Sequence, residues 1–282
     1  MRSLLAAAAL AGCIAAGERP EQRFSEMAAE QQPVLDGPAV QGGLIRGRAR
    51  PGATLLLDGR PVPVAADGSF ILGFDRDASA TARLVQRGAG GGDAETVIAV
   101  LPRAWRIERV DAPYRAGRTT AEFAALRPGE LARIAAARAV ATQAQGWRQR
   151  FRWPAIGRQS GWFGAQRVYQ GKPGGYHSGA DVALPTGAPV VAPADGVVVL
   201  AAQDPFTLEG RLLILDHGAG LSSAFLHLSR IDVREGEAVR QGQPIAAVGA
   251  TGRVTGPHLH WGLQWGGAKL DPLLVAGAMP AR

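Results

Sequence analysis

The stretch that indicates the fold most directly is Thr255–His260, with the sequence TGPHLH. Gly256 and Pro257 predict a turn, and the alternation that follows them is typical of a β-strand. Residues two apart on a strand share a face, so both imidazoles are expected on one side. Leu259 is then expected to point the opposite way, into a core. The stretch predicts a strand that presents two histidines together.

A second pair of polar residues precedes this strand. All five histidines of the chain lie between positions 177 and 260, and His177 stands four residues before Asp181. The small residues between them allow a bend that brings the two side chains together. A lone His-x-His is more often structural than metal-binding. Joined by an imidazole and a carboxylate, however, it offers a donor set suited to Zn²⁺ with one position open for water or substrate.

Short β-prone runs bounded by glycine turns predict that residues 151–276 form a mainly β domain, followed by a short tail, 277–282. A similar pattern earlier in the chain predicts a small β-sandwich over 33–102, with hairpin turns at Asp58-Gly59 and Asp67-Gly68. That segment has no histidine or cysteine, so it is interpreted as a binding, spacing or covering module. The runs expected to be strands are 44–45, 53–57, 61–64, 70–74, 80–86, 96–101, 189–191, 196–200, 211–215 and 223–226.

Between these domains, residues 103–150 are interpreted as a linker with a helix. Residues 103–118 predict an irregular bridge, and Pro128 to Gln145 predicts a helix that starts with proline and ends before Gly146. Leu131 and Ile134 fall on one face of this helix. Arg138 lies seven residues after Leu131 and falls on the same apolar side, so the amphipathic pattern is imperfect.

The N-terminus has the layout of an export signal. A short apolar run leads to Leu10-Ala11-Gly12-Cys13, and Cys13 is the one cysteine of the chain. These four residues resemble the lipobox of bacterial lipoproteins, which implies cleavage before Cys13 and lipid attachment to it. Plain secretion and a chance apolar N-terminus are the alternatives. Residues 1–13 are therefore interpreted as a signal segment, and 14–32 as a polar tether.

The formal charge of +7 is a weak functional clue. The charges are scattered along the chain and no nucleic-acid motif accompanies them, so nucleic acid is not expected as a partner. A genome rich in arginine codons explains the excess, and attraction to an anionic cell envelope is the other interpretation.

Several phrases, in order and spacing, resemble the M23 metallopeptidases, the lysostaphin- and LytM-like peptidoglycan endopeptidases. The resemblance covers roughly residues 150–275 and implies an antiparallel β peptidase domain. It also implies that His177, Asp181 and His260 bind one Zn²⁺ per chain, and that His227 and His258 are catalytic histidines that do not bind the metal. The matching phrases are YHSGAD (176–181), PTGAPV (185–190), APADGV (192–197), LDHG (215–218), FLHLS (225–229) and TGPHLH (255–260).

Other residues beside these phrases are given weaker roles. Tyr176, next to a predicted ligand, is a candidate hydrogen-bond donor to a developing oxyanion, with core packing as the alternative. His217 is expected to be structural or to lie at the edge of the groove. Asp216 and Asp271 are interpreted as turn residues or as groups that support a ligand from behind. Trp162, Trp261 and Trp265 are expected to pack in a core, with a glycan-binding groove as the alternative.

The resemblance implies a zinc-dependent endopeptidase that hydrolyses peptide cross-links or stem peptides of peptidoglycan. The alternative is a catalytically silent LytM-like protein that binds the wall and activates another hydrolase. A third reading makes the β-sandwich of a lipoprotein the functional unit. The expected location is the periplasm, with anchoring to the outer membrane through a lipid on Cys13. The bond cleaved and the oligomeric state stay open.

Overall fold

The computed structural model describes residues 32–88, 93–112 and 120–281. The predicted signal segment with Cys13, and the tether as far as residue 31, lie outside the described residues. The described chain is mainly β, which confirms the predicted fold class. No helix within the described ranges is both long and apolar enough to cross a membrane.

The N-terminal domain is a sandwich of two sheets, as predicted. One sheet has the order β1-β3-β6 and the other β2-β8-β7-β4-β5. Their inner faces enclose a core that includes Leu55, Phe70 and Leu84, each at most 1% exposed. Asp58 and Gly59 both have positive φ, at 47° and 78°, which is the backbone that a two-residue hairpin requires. The strands are β1 Val34–Asp36, β2 Ala39–Val40, β3 Leu44–Arg48, β4 Thr54–Leu57, β5 Arg60–Val62, β6 Ser69–Gly73, β7 Thr81–Arg87 and β8 Ala94–Leu101.

The linker differs from its prediction in two places. The bridge contains a strand, β9 (Ile107–Val110), which pairs in parallel with residues 166–169 of the C-terminal domain. The helix α1 is Ala121–Ala139, so the predicted span of 128–145 is wrong at both ends. Its N-cap is Thr120, whose hydroxyl accepts from the amide of Phe123, and Pro128 lies inside the helix. Gly146 instead opens a separate 3-10 turn, Gly146–Arg148.

The C-terminal domain is built on a long antiparallel sheet. Its strand order is β10-β13-β21-β17-β16-β15-β19, and β22 pairs with β21. Smaller sheets, β12-β11-β9 and β14-β20-β18, lie beside it. The strands are β10 Arg158–Gly161, β11 Gln166–Tyr169, β12 Lys172–Tyr176, β13 Ala180–Ala183, β14 Pro189–Val191, β15 Gly196–Phe206, β16 Gly210–Asp216, β17 Leu221–Leu228, β18 Arg230–Ile231, β19 Ala238–Val239, β20 Pro244–Ala247, β21 His258–Trp265 and β22 Ala268–Leu270; a short helix, α2 (Pro272–Ala276), follows.

The two faces of this sheet bury different cores. One face carries Leu259, Trp261 and Phe225, all fully buried, and burying one such aromatic or leucine side chain contributes about 1.5–3 kcal/mol. The other face carries Leu212, Ile214 and Ala224, and α1 covers them with Ile134 and Ala137. The linker helix is therefore a packed part of the C-terminal domain.

The N-terminal domain is docked on the C-terminal domain. Ile71 of β6 is fully buried in the larger core, and Gly73 lies so close to Trp265 that an added Cβ would be 2.8 Å from the tryptophan Cβ. The Arg46 guanidinium donates to the carbonyl oxygens of Trp147 and Gln149 at 2.8 and 2.9 Å. The interface thus combines apolar burial with charged hydrogen bonds to main-chain oxygens.

Candidate metal centre

Strand register brings the first two candidate ligands together. Asp181 of β13 and His260 of β21 are direct partners across the ladder, and their Oδ1 and Nδ1 atoms are 2.8 Å apart. His258 stands on the same face of β21, two residues away, while Leu259 is fully buried on the other. The alternation predicted from the sequence is confirmed, because His258 and His260 lie on one face of the sheet and Leu259 on the other.

His177 completes the cluster from the turn between β12 and β13. Its Nε2 lies 3.0 Å from both Asp181 Oδ1 and His260 Nδ1. The turn needs glycine at position 179, because an added Cβ would be 2.4 Å from the carbonyl oxygen of Trp261 and 2.7 Å from His260 Nε2. The predicted bend therefore exists, and the close approach of two backbones explains its small residues.

The orientation of His177 is set by a main-chain oxygen. Its Nδ1 is 3.1 Å from the carbonyl oxygen of Trp162, so Nδ1–H donates to that oxygen and Nε2 is the ring nitrogen turned toward the cluster. Metal-binding histidines commonly have such a partner on the second ring nitrogen. This contact gives the segment around Trp162 an indirect part in the site.

The donor atoms of the three residues suit a metal cation. They are pairwise 2.8–3.0 Å apart, against about 3.3 Å for ligands placed tetrahedrally around zinc at 2.0–2.1 Å, so a small opening admits the ion. Burial alone would raise the pKa of Asp181, but hydrogen bonds from His177 and His260 outweigh it and hold that pKa well below the usual range. The carboxylate is therefore anionic at neutral pH, as a metal ligand must be.

Two further imidazoles lie beside the cluster. His258 Nε2 is 3.8 Å from Asp181 Oδ1, and the His227 and His258 rings are 4.9 Å apart between centroids. Each donates Nδ1–H to a carbonyl oxygen, of Thr251 for His227 and of Gly256 for His258, at 3.0 and 2.9 Å. Each neutral ring consequently keeps an Nε2 lone pair, which is what a general base requires.

His227 reaches this position through a β-bulge. The pairing of β16 with β17 shifts register between Arg211 and Leu213, opposite the end of β17, and His227 there has a φ of +64°. Leu226 faces the same side as His260, so a regular strand would turn His227 away from the site. Bulges and left-handed residues of this kind are frequent at functional sites. Burial lowers the pKa of His227 to about 4, so the ring is neutral at pH 7.

Clefts adjoin the cluster on several sides. A cavity of about 430 Å³ is lined by Arg253, Thr255 and the four histidines of the cluster and its neighbours, 177, 227, 258 and 260. A cleft of about 900 Å³ contains Trp162 and Tyr169 on the side of His177, and the linker's Arg106 lies over the Trp162 ring at 3.8 Å. A narrower cleft of about 240 Å³ runs between α1 and the sheet and includes His260. The linker thus supplies walls on two sides of the candidate metal centre.

Tyr176 is held by the N-terminal domain. Its hydroxyl donates to Asp75 Oδ1 at 2.9 Å, and its ring packs edge-on against Phe163 and lies 4.9 Å from the Arg76 guanidinium. Burial, followed by the hydrogen bond to Asp75, raises the pKa of the phenol. Its single proton is therefore directed at Asp75, a geometry that favours the packing alternative over the oxyanion role.

The remaining residues singled out from the sequence lie outside the cluster. His217 is fully buried between the Asp195 carbonyl oxygen and the Ser223 hydroxyl, at 2.7 and 2.8 Å. Trp261 is in the core, Trp265 packs against both domain cores, and Trp162 lines the wide cleft. The two carboxylates serve local structure: Asp216 accepts from Thr142 and from the Gly218 amide, and Asp271 caps α2 and pairs with Arg103.

Residues that the sequence reading missed come from the other domain. Arg76 is only 6% exposed, and it donates to the Gly164 carbonyl oxygen at 3.1 Å and to Gln166 Oε1 at 3.0 Å. Gly164 is itself bonded to the His177 main chain. Asp75 and Arg76 stand in a polar turn after β6. This turn matches no functional motif, so no local sequence pattern identifies the two residues as part of the site.

The fold and the cluster define a β-sheet protein with a three-ligand candidate metal centre. The model of peptidase family M23 matches residues 175–272, which include all three candidate ligands and both neighbouring histidines. The chain therefore carries a peptidase M23 domain. The expectation from the sequence phrases is confirmed at the level of the family.

Curated relatives and a solved structure agree with this assignment. The chain is 45% identical over 85 residues to the peptidoglycan DD-endopeptidase ShyB of Vibrio cholerae, which is 30% of this chain and 20% of that protein. It is 39% identical over 104 residues to the DD-carboxypeptidase/endopeptidase Mpg of Neisseria meningitidis, 37% of this chain and 24% of that one. The matches therefore span only about a fifth to a quarter of these relatives.

A crystal structure of a Pseudomonas aeruginosa protein ascribed to peptidase M23 is similar over most of the chain. It is 29% identical, the alignment covers 87% of this chain and 97% of that one, and the TM-score is 0.66. The likeness extends well beyond residues 175–272, so the docked N-terminal domain belongs to the shared architecture.

Proposed function

We propose that this protein is a zinc-dependent endopeptidase that hydrolyses peptide cross-links or stem peptides of peptidoglycan. The observation that carries the proposal is the convergence of His177, Asp181 and His260, with the His227 and His258 imidazoles beside them, inside an M23 domain. The names of the relatives, peptidoglycan DD-endopeptidases, supply the substrate class.

In this proposal His177 Nε2, Asp181 Oδ1 and His260 Nδ1 bind one zinc ion, and a fourth position stays open. Bound zinc polarises a scissile carbonyl and lowers the pKa of a water molecule. The surrounding chain fixes the donors: the Trp162 carbonyl oxygen orients His177, and the β13–β21 ladder sets the distance between Asp181 and His260.

His227 and His258 are proposed to move the protons of the reaction. Their Nδ1–H groups are anchored on carbonyl oxygens, so each Nε2 can accept a proton from the attacking water and return it to the leaving amine. The lowered pKa of His227 keeps it able to accept at neutral pH. Such proton transfer typically contributes 10²–10⁴-fold to the rate.

The test is digestion of purified sacculi, with mass spectrometry to identify the bond that is cut. Soluble fragments with new termini at one type of peptide bond are expected, and a zinc chelator should abolish their release until zinc is restored. Binding to sacculi with no new termini would instead favour the catalytically silent regulator. Loss of every fragment in a His177→Ala control is needed to exclude a contaminating hydrolase.

An extracytoplasmic location follows from this substrate, and lipid attachment to Cys13 and outer-membrane anchoring are proposed with it. The division into 33–102, 103–150 and 151–276 likewise remains a proposal about domains. Cys13→Ala should move the protein from the membrane fraction to the soluble fraction of the cell envelope. Unchanged fractionation would remove the lipid anchor from the proposal and leave the enzymatic part intact.

A further inference from the structure

One cationic residue of the linker helix faces the sheet that carries the candidate metal centre. Four residues at helical spacing line the narrow cleft from α1: Arg127, Leu131, Ile134 and Arg138. Ile134 is buried against the sheet, so this is the inward face of the helix. Arg138 stands at the end of this row, where its side chain lines the cleft and is exposed to solvent.

The opposite wall of the cleft belongs to the same sheet face as the ligands. Leu226 is the register partner of His260 and packs against the residues that α1 covers. His260 and Ser178, the residue after His177, line this cleft together with Arg138. A group bound at the His260 end of the cleft consequently lies beside the candidate metal centre.

The charges of the cleft leave positive groups without acidic partners. Arg127 is bound by both oxygens of Glu209, at 2.6 and 2.8 Å, and by Glu130 at 3.0 Å. Arg138 and Lys269 also line the cleft, and within the described residues neither has a carboxylate within ion-pair distance.

The chemistry of this cleft favours an anionic peptide group. Among the described residues, its lining contains no Trp, Tyr or Phe on which a sugar ring could stack, in contrast to the Trp162 cleft. A guanidinium presents a planar fork that matches a carboxylate, and an ammonium adds a second positive charge. At about 240 Å³ the cleft has room for a side-chain carboxylate and the atoms that carry it.

We propose that this cleft is a carboxylate subsite of the enzyme, with Arg138 as the principal donor and Lys269 as the second cation. The inference rests on the proposed peptidoglycan endopeptidase activity, and it names a specificity element within it. Arg138 holds a free carboxylate carried by a residue near the scissile bond, as diaminopimelate carries one, and so discriminates against the amidated form.

The experiment compares two synthetic cross-linked stem peptides that differ only in whether the diaminopimelate carboxylate is free or amidated. Hydrogen bonds to charged groups contribute about 1.5–3 kcal/mol, so kcat/KM for the free acid should exceed that for the amide by roughly 10- to 100-fold. Arg138→Gln should lower kcat/KM on the free acid toward that of the amide and leave the amide nearly unchanged. Lys269→Gln should have a smaller effect in the same direction.

Arg133→Gln on the same helix is the matched control, since its guanidinium lies over the Phe206 ring and it does not line the cleft. It should behave as the parent protein on both peptides. Zinc content and circular dichroism of Arg138→Gln should match the parent. Equal cleavage of the two peptides by the parent, or an equal loss on both in Arg138→Gln, would overturn the subsite. If the zinc-loaded parent cuts neither peptide nor sacculi, the proposed function itself fails, and the subsite with it.

Discussion

At the scale of single residues, the histidines of the candidate site differ in how close their ring nitrogens lie to Asp181. His177 Nε2 and His260 Nδ1 lie 3.0 and 2.8 Å from Asp181 Oδ1, whereas His227 and His258 stand farther away with anchored Nδ1 atoms. The distinction predicts different consequences when one imidazole is removed.

His260→Ala should lose zinc and activity together, because it deletes a direct ligand. The zinc affinity is expected to fall by more than the roughly 100-fold at the upper end of losses for outer-shell partners. His227→Ala should retain one zinc per chain and lose about 10²–10⁴-fold in kcat. Metal analysis after dialysis and single-turnover kinetics check both variants. Equal zinc loss in the two would contradict the division of roles.

At the scale of the elements, buried polar contacts tie the strands beneath the site. His217 follows β16, and its Nδ1–H donates to the Asp195 carbonyl oxygen just before β15. Its Nε2 accepts from the Ser223 hydroxyl of β17, and that oxygen accepts from Trp261 Nε1 of β21 at 3.3 Å. The neutral imidazole thus links strands of the sheet that holds His260.

This link predicts a pH dependence of stability. Burial lowers the pKa of His217 from 6.5 to about 4, so the unfolded chain takes up the proton first as the pH falls. The contribution of His217 is fully present above about pH 6.5 and is lost as the pH falls toward 4, by an amount on the order of 3 kcal/mol. Urea unfolding of the zinc-free protein between pH 4 and 7 measures it.

His217→Gln is the comparison, since glutamine does not titrate. Its free energy of unfolding should be lower than that of the parent at pH 7 and should fall less steeply with acidification. His227 and His260 also have lowered pKa values and contribute equally to both proteins. Parallel pH profiles for the two would show that His217 does not carry this dependence.

At the scale of the whole molecule, the N-terminal domain contributes to the site through its contacts. Arg76 donates hydrogen bonds to the Gly164 carbonyl oxygen and to Gln166, close in sequence to Trp162, which orients His177. Asp75 accepts a hydrogen bond from Tyr176, the residue before His177. The interpretation of this domain from its sequence as a binding, spacing or covering module omitted this contribution. The docked domain supports the candidate metal centre from outside the residues matched to the family.

Arg76→Met is predicted to weaken zinc binding by about 10-fold, the lower end of losses for outer-shell partners, and to lower the melting temperature. Arg83→Met is the matched control in the same domain, because the Arg83 side chain is exposed and forms an ion pair with the exposed Glu95, far from any contact with His177 in sequence or pairing. Chelator competition measures the affinity of both variants. The same zinc affinity in both would mean that the Asp75–Arg76 turn holds the domains together without positioning His177.

The sequence by itself predicted the β class, six of the eight described sandwich strands, the family and the five residues of the candidate site. Those features depend on the local alternation of apolar and polar residues, on turn residues such as Asp58-Gly59, and on short motifs that can be recognised from their residues and spacing in a single sequence. Only the tertiary structure decided the helix bounds, the pairing of β9, the bulge at His227 and the contacts of Arg76. The physical reason is that each of these depends on partners far along the chain: Thr207 and Glu209 meet α1, and Gly164 meets Arg76. Arg138 illustrates both contributions. The sequence indicated that this arginine falls on the apolar side of its helix, and only the fold showed that it lines a cleft that also includes His260.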